Sequence, residues 1–379
     1  MLVILNQIEY TCLTMATLQT VTAPAPTVGI TKVDEAINNG IDYLYNHQFP
    51  NGEFICYISG DDPMKGWNHP DSYVFPSIMI ACSLLPLKEH PIANHILVET
   101  CKFIQYQMHW TGIGHYFTRL HKLRKLCPYD ADDTAYGSYV LREMNFNFPE
   151  TLSKKILLDH RNSKGLFYTW FTLRLRWNRN KHYWRLALPE LLRPIQAMMF
   201  WYGISGRKRD IDAGVNANVL YYMGENKDTQ PIIDFLIKII EEKREGNCDK
   251  WYRYPVTMYY LIARNYKNGV KKFEVVRQAI IDRILATKKE DGRLGESAME
   301  TAFAISSLIC LDYNGIALHN AVAFLLDDQK KYGDWPRWRV YFTGTKRLGG
   351  YGSEEMTTAF CLEALALYRQ MVTGTAVPE

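Results

Sequence analysis

The chain lacks the features that would mark a zinc finger, a membrane-spanning protein or a nucleic-acid binder. Its eight cysteines, Cys12, Cys56, Cys82, Cys101, Cys127, Cys248, Cys310 and Cys361, include no CxxC pair, so a zinc-finger reading has no ligand spacing to rest on. Their scatter suits buried thiols in a reducing compartment, and a cytoplasmic location is expected. Charge of one sign is scarce: the formal net charge is +4, and no basic stripe carries interleaved stacking aromatics, which speaks against a nucleic-acid partner. No window reaches the ~18 uninterrupted apolar residues of a bilayer span. The N-terminal segment begins apolar but has no basic stretch and is broken by Asn6, Gln7 and Glu9, so it does not read as a signal peptide. Convincing strand patterns are also missing.

What is present is a core and an excess of rings. Of the 379 residues, 47% are hydrophobic and 22% charged, enough to bury a large core. Aromatics reach 13%, with 25 Tyr and 9 Trp, more than packing alone calls for. Residues 22–28 (TAPAPTV) read as a Pro-rich linker between an N-terminal arm, 1–30, and a body, 31–372, followed by a short tail, 373–379. Helical periodicity runs through 34–47, 273–287, 316–327 and 356–368.

Internal repeats decide the fold class. The skeleton Tyr43, Leu44, Gln48, Gly52, Phe54 recurs as Phe324, Leu325, Gln329, Gly333, Trp335. Weaker copies occur around Gly112, Gly165 and Gly292, while residues 230–251 do not fit. Each copy reads as a helix end followed by a turn: the Gly takes a backbone conformation other residues resist, and the Gln amide satisfies orphan groups at helix ends. A second helix follows each turn, with a polar start, then Thr or Asn, then Ala, then an apolar run: DADDTAYGSYVL, DAGVNANVLYYM, SAMETAFAISSL and EEMTTAFCLEAL. Such small residues allow the close approach of an inner ring. Six outer–inner pairs, about 34–86, 91–145, 150–224, 230–267, 272–311 and 316–370, predict an all-α, single-domain α6/α6 toroid with a Trp- and Arg-rich insertion at about 168–205.

The sharpest chemical motif is Asp130-Ala131-Asp132-Asp133 at the start of the second inner helix. One Asp there would be an ordinary cap. Three repel one another, and burial makes one keep its proton. A neutral, poorly solvated carboxylic acid is the group needed to protonate an alkene, a very weak base.

DADDTA resembles the DxDD motif of class II terpene cyclases, and QFPNGEF and QKKYGDW resemble the QW motifs of the same superfamily. The resemblance implies proton-initiated cyclisation of an isoprenoid diphosphate, farnesyl or geranylgeranyl, to a drimane- or labdane-type bicycle with the diphosphate retained. Asp132 would be the general acid, with Asp130 and Asp133 polarising it. Relatives of this family place the site between two toroids; here the N-terminal arm, the insertion or a second subunit would close the cavity, and a homo-oligomer is one such arrangement. A lipidic substrate also brings peripheral contact with a membrane into view.

Carbocations are stabilised by π faces, and Trp67, Tyr73, Phe75, Tyr136, Trp251, Tyr252, Phe303, Tyr341 and Tyr351 are the candidate wall. For a diphosphate the cationic candidates are Arg174, Arg176, Arg179, Lys181 and Arg185 in the insertion, and Lys346 and Arg347 in GTKRLGG. Mg²⁺ would accompany such a head group, with Glu354 and Glu355 as weak ligands; no redox cofactor is expected. Asn216 and Asn218 are placed to orient a partner or to bond between helices. Rival readings are a squalene-type cyclase, a protein prenyltransferase subunit with a zinc site near Cys361, a glycosidase pairing Asp132 with Glu300 or Glu355, and a toroid that only binds an isoprenoid or a partner protein.

Overall fold

The computed structural model describes residues 28–173, 180–192, 194, 195, 198, 201, 202, 207–344 and 349–374. Thirteen α-helices lie among them: α1 (Ile30–His47), α2 (Val74–Leu84), α3 (Pro91–Gln107), α4 (Ala131–Glu143), α5 (Glu150–Asp159), α6 (Lys181–Leu192), α7 (Ala213–Met223), α8 (Gln230–Glu241), α9 (Pro255–Lys267), α10 (Glu274–Leu285), α11 (Ala298–Cys310), α12 (Ile316–Asp328) and α13 (Glu354–Thr373). Six of them, α2, α4, α7, α9, α11 and α13, form an inner ring in which each packs on the next and α13 returns to α2. The helices that precede them, α1, α3, α5, α8, α10 and α12, form the outer layer. The architecture is an α6/α6 toroid.

Sequence pattern separates the two layers. Outer helices bury one stripe: Val33, Ala36, Ile37, Gly40, Ile41 and Leu44 in α1, and Ile232, Ile233, Leu236, Ile239 and Ile240 in α8. Helix α2 is buried on every side, as is α4 from Ala131 to Leu141, so neither shows a polar face.

The glutamine–glycine turns join one hairpin to the next. Gln48 Nε2 donates to the Ile96 carbonyl (3.1 Å) and Thr100 Oγ1 (2.8 Å) on α3. Gln329 Nε2 donates to the Ala36 carbonyl (2.9 Å) on α1, so the last outer helix is tied to the first. Gly52 and Gly333 have φ of +85° and +93°, and a Cβ on either would collide with a backbone carbonyl, of Glu99 or Asn39. In five hairpins the residue two beyond the turn glycine donates its N–H to an inner-helix side chain: Phe54 to Ser77, Gly114 to Thr134, Phe167 to Asn216, Leu294 to Thr301 and Trp335 to Thr358. The fourth hairpin departs from this. There Arg283 of α10 reaches back to the Ile240 carbonyl (2.9 Å) and Glu245 (2.7 Å).

The expectation of no strands is corrected by one small antiparallel sheet, ordered β2–β1–β4–β3, of β1 (Cys56–Ser59), β2 (Asn68–Asp71), β3 (Tyr341–Phe342) and β4 (Gly350–Gly352). Its strands are two to four residues long, too short for alternation to register, and Tyr57 pairs with Gly352 from the far end of the chain. The sheet joins the loops of the first and last hairpins at the end of the ring where the inner helices start.

Candidate active site

The first turn of α4 is fixed from both sides. Asp130 caps the helix, its Oδ1 accepting the Asp133 N–H at 2.8 Å. The Thr134 hydroxyl donates to the Asp130 carbonyl (2.6 Å) and accepts from the Gly114 N–H (2.9 Å). Between these anchors Asp132 faces the middle of the ring. Its Oδ1 accepts from Asn218 Nδ2 at 2.5 Å and its Oδ2 from the Tyr252 hydroxyl at 2.6 Å.

Both donors are themselves held. Arg264 Nη2 donates to Asn218 Oδ1, and because a guanidinium only donates, this contact fixes the amide with its NH₂ toward Asp132. Arg264 Nη1 donates to the Tyr136 hydroxyl (2.6 Å), and the guanidinium lies over the Tyr136, Tyr221 and Tyr260 rings at 4.6, 4.4 and 5.2 Å. Tyr252 is set by Asp249, whose Oδ1 accepts the N–H groups of Trp251 (2.7 Å) and Tyr252 (2.8 Å) and whose Oδ2 accepts that of Gly214 (2.7 Å). A Cβ at Gly214 would run into the Tyr252 ring. Asp212 holds the neighbouring indole: its Oδ2 accepts from Trp251 Nε1 (3.1 Å) and the Thr169 hydroxyl (2.6 Å).

Asp130, Asp132 and Asp133 all line a cavity of about 120 Å³. Its wall is otherwise mostly aromatic: Phe75, Tyr116, Phe117, Trp170, Trp251, Tyr252, Tyr341, Phe342 and Tyr351. Among the described lining residues there is no Lys or Arg. Burial pushes the Asp132 carboxyl up to about 6, opposed by the bonds from Tyr252 and Asn218 and by the charge of Arg264. Burial also raises Asp130 and Asp133; at Asp130 hydrogen bonds with Asp133 oppose the rise and the charge of Asp132 adds to it, at Asp133 the charge of Asp130 adds to it, and Asp133 Oδ1 has no partner. Burial of three adjacent carboxyls therefore favours retention of a proton within the triad, while Asn218 and Tyr252 are positioned as donors for an Asp132 carboxylate.

Of the residues anticipated on the wall, Phe75, Trp251, Tyr252, Tyr341 and Tyr351 line the cavity. Four others do not. Trp67 is 77% exposed and stacks on His69. Tyr73 sits behind the wall, stacked on Tyr116 at 4.8 Å. Tyr136 lies beneath Asp132, taken up by Arg264. Phe303 stacks in the core on Tyr260 at 4.7 Å. Arg185 is exposed, over the Trp110 ring at 5.9 Å, and is not a lining residue. Lys346 and Arg347 lie outside the described residues, as do Arg174, Arg176 and Arg179. Asn216 bonds the Phe167 backbone, whereas Asn218 reaches the acid.

The residues fit poorly to a metal. Glu354 is paired with Arg337 at 2.5 Å, and Glu355 is buried beside the Tyr43 hydroxyl at 3.4 Å. Neither lines the cavity. Among the described residues no group of three or more His, Cys, Asp or Glu could hold an ion, Cys361 included.

Residues that the sequence reading passed over are Arg264, Tyr116, Phe117, Trp170, Phe342, Asp212 and Asp249. An Arg inside the apolar run of α9 was the one available signal; a fully buried Arg is rare without partners.

No family model and no curated protein matches the chain in sequence. Solved structures do resemble it. The type II terpene cyclase MstE from Scytonema, in complex with geranylgeranyl dihydroxybenzoate as substrate, superposes with a TM-score of 0.67 at 14% identity, over 90% of this chain and 99% of that one. A protein from Actinoplanes gives 0.64 at 17% identity, over 88% and 99%. An unsaturated glucuronyl hydrolase specific for heparin gives 0.56 at 10%, over 93% and 100%. The chain thus has the helical toroid fold of type II terpene cyclases, one that a glucuronyl hydrolase also resembles.

Proposed function

We propose that the chain is a class II terpene cyclase in which Asp132 protonates the terminal double bond of a prenyl chain. The observation that carries this reading is the placement of one buried carboxyl, raised by burial to about 6, on a mostly aromatic cavity wall, with Asn218 and Tyr252 donating to its two oxygens. The Asp132 O–H bond breaks as the alkene π pair forms the new C–H bond, leaving a tertiary cation. The next double bonds attack in turn, and loss of a proton or capture of water ends the cascade. The conjugate base stays bound to Asn218 and Tyr252, with Arg264 behind it. Ring faces along the wall stabilise the moving cation, and folding the chain in the cavity makes each closure a positioned intramolecular step.

The substrate class under this reading is a farnesyl or geranylgeranyl diphosphate, cyclised to a bicycle with its head group kept. A second reading, a prenyl chain on a non-phosphate head, is favoured by two observations: the described wall has no cation, and the similar fold of MstE holds geranylgeranyl dihydroxybenzoate as substrate. The glycosidase reading has less support, because neither Glu300 nor Glu355 lines the cavity opposite Asp132. The test is incubation with geranyl, farnesyl and geranylgeranyl diphosphates, squalene and geranylgeranyl dihydroxybenzoate, with mass spectrometry before and after phosphatase. A cyclic isomer made by the native chain and not by Asp132→Asn supports the reading. Product from both proteins excludes Asp132 as the acid, and no product from either leaves a binding toroid.

A further inference from the structure

Three of the phenols that line the cavity form one cluster. Tyr341 of β3 and Tyr351 of β4 are register partners whose rings stack at 4.8 Å, and the Tyr116 hydroxyl lies 3.1 Å from that of Tyr341. The Tyr351 hydroxyl is within hydrogen-bond reach of those of Tyr116 and Tyr73. Tyr73 is 2% exposed and does not line the cavity, yet its hydroxyl donates to Asp71 Oδ2 at 3.0 Å. Asp71 ends β2, and its side chain is 25% exposed. One run of hydroxyls thus leads from the cavity wall to a carboxyl in contact with water.

The far end of this run is arranged to accept a proton. Asp71 Oδ1 accepts the Ser72 N–H at 2.8 Å, and Oδ2 accepts from His121 Nε2 at 3.2 Å as well as from Tyr73. His121 Nδ1 accepts the Leu123 N–H at 3.1 Å, so the neutral ring carries its hydrogen on Nε2 and points it at Asp71. Burial acts to raise the Asp71 carboxyl, but the bonds from Ser72, His121 and Tyr73 outweigh it and hold the group below its usual range. The one hydroxyl hydrogen of Tyr73 goes to Asp71, which leaves its oxygen as an acceptor toward Tyr351. A cascade begun by protonation must shed a proton where its last cation forms. Among the described lining residues there is no His or Glu, and the three Asp belong to the acid.

We infer that Tyr351 takes the terminating proton and that Tyr73 and Asp71 carry it out of the cavity, an inference that rests on the cyclase reading. The C–H bond beside the final cationic carbon breaks, and its electron pair becomes the new C=C bond. The proton joins the Tyr351 oxygen as the Tyr351 hydrogen passes to Tyr73 and that of Tyr73 passes to Asp71 Oδ2. Asp71 releases it to water. Both phenols end neutral, and the proton delivered to solvent matches the one that Asp132 regains from it. Tyr351 is the catalytic residue of this step, and Tyr73 and Asp71 are positioning residues that act through it.

The experiment gives the native chain, Tyr351→Phe, Tyr73→Phe and Asp71→Asn the same five prenyl substrates and resolves cyclic alkenes from cyclic alcohols by mass spectrometry. The native chain is expected to make an alkene. Tyr351→Phe should slow its formation about a hundredfold, and Tyr73→Phe and Asp71→Asn about tenfold each. In all three the stranded cation should be diverted to an alcohol or an isomeric alkene. The Phe variants keep their rings in the stack, so circular dichroism should not change, and the product ratio reports the relay where a loss of rate alone would report loosened packing. A cyclic alcohol as the native product would overturn the inference and leave the cyclase reading standing. So would variants that keep the native product ratio, whether or not they are slower. No cyclic product from the native chain would remove both.

Discussion

In α2, Ser77 accepts the backbone N–H of Phe54; in α4, Thr134 accepts that of Gly114. Two residues before these anchors stand Phe75 and Asp132, and both line the cavity. The same scaffold position therefore presents a ring in one hairpin and a carboxyl in the next. The other copies carry Gly214, Met299 and Met356 at that position. The repeat supplies the frame, and the chemistry sits where one copy departs from it. Asn218 is a second departure: two residues after the anchor the other copies have Met79, Tyr136, Phe303 and Phe360.

The largest effect comes from removing the departure itself. Asp132→Asn keeps shape but not the transferable proton, and turnover is expected to fall by ~10³-fold or more. Product measured by mass spectrometry, with unchanged helical circular dichroism, checks this. Retained product would exclude Asp132 as the acid.

Next come the groups that stabilise the carboxylate. Tyr252→Phe deletes a donor to a charged acceptor, worth about 1.5–3 kcal/mol, so kcat/KM is expected to drop some ten- to a hundredfold. The pH profile gives an independent readout. The reactive form is protonated and its carboxyl sits at about 6, so rate should be flat below that pH and fall as pH rises through it. Tyr252 lowers this value in the native chain. Its loss should carry the falling limb to higher pH while lowering the plateau. Asn218→Ala should act in the same direction, by about tenfold. A limb that stayed put in both variants would assign it to another group.

The smallest effect on rate is expected where the two hairpins are alike. Ser77→Ala leaves the Phe54 N–H unpaired in the core, and Gln48→Leu unties α1 from α3. Each should cost about 1–3 kcal/mol of stability, read as a lower Tm, with kcat unchanged. A large loss of rate at either position would blur the division between frame and departure.

How much of this was readable beforehand follows the same division. The toroid was legible because Gln–Gly turns recur at intervals and local steric need fixes them. Asp132 was legible because three carboxylates exceed what a cap requires. The four-stranded sheet was not, since its pairs join residues near 57 and 351 and leave no local period. Arg264 was missed for a related reason: it sits late in α9, where the repeat dictates nothing, and its purpose exists only once Asn218 and Tyr136 have been brought to it. The wall residues Tyr116 and Trp170 belong to loops, and Phe342 to the two-residue strand β3, segments that meet only in space. Trp67 and Phe303 had the right chemistry near helix starts, yet one turned to solvent and the other into packing.

The bond from Gln329 to Ala36 spans 293 residues of sequence, and the pair Arg369–Asp34 spans a similar stretch. Such contacts are the costliest in loop entropy and gain nothing until nearly all hairpins have formed. Five of the six neighbouring contacts are local, so closing the circle is expected to be the late step of folding. Until then α13 and α1 offer unsatisfied greasy faces to whatever else is near. An open arc of hairpins is the species most exposed to aggregation, and a join between the two ends is where an engineer would first look to quicken assembly.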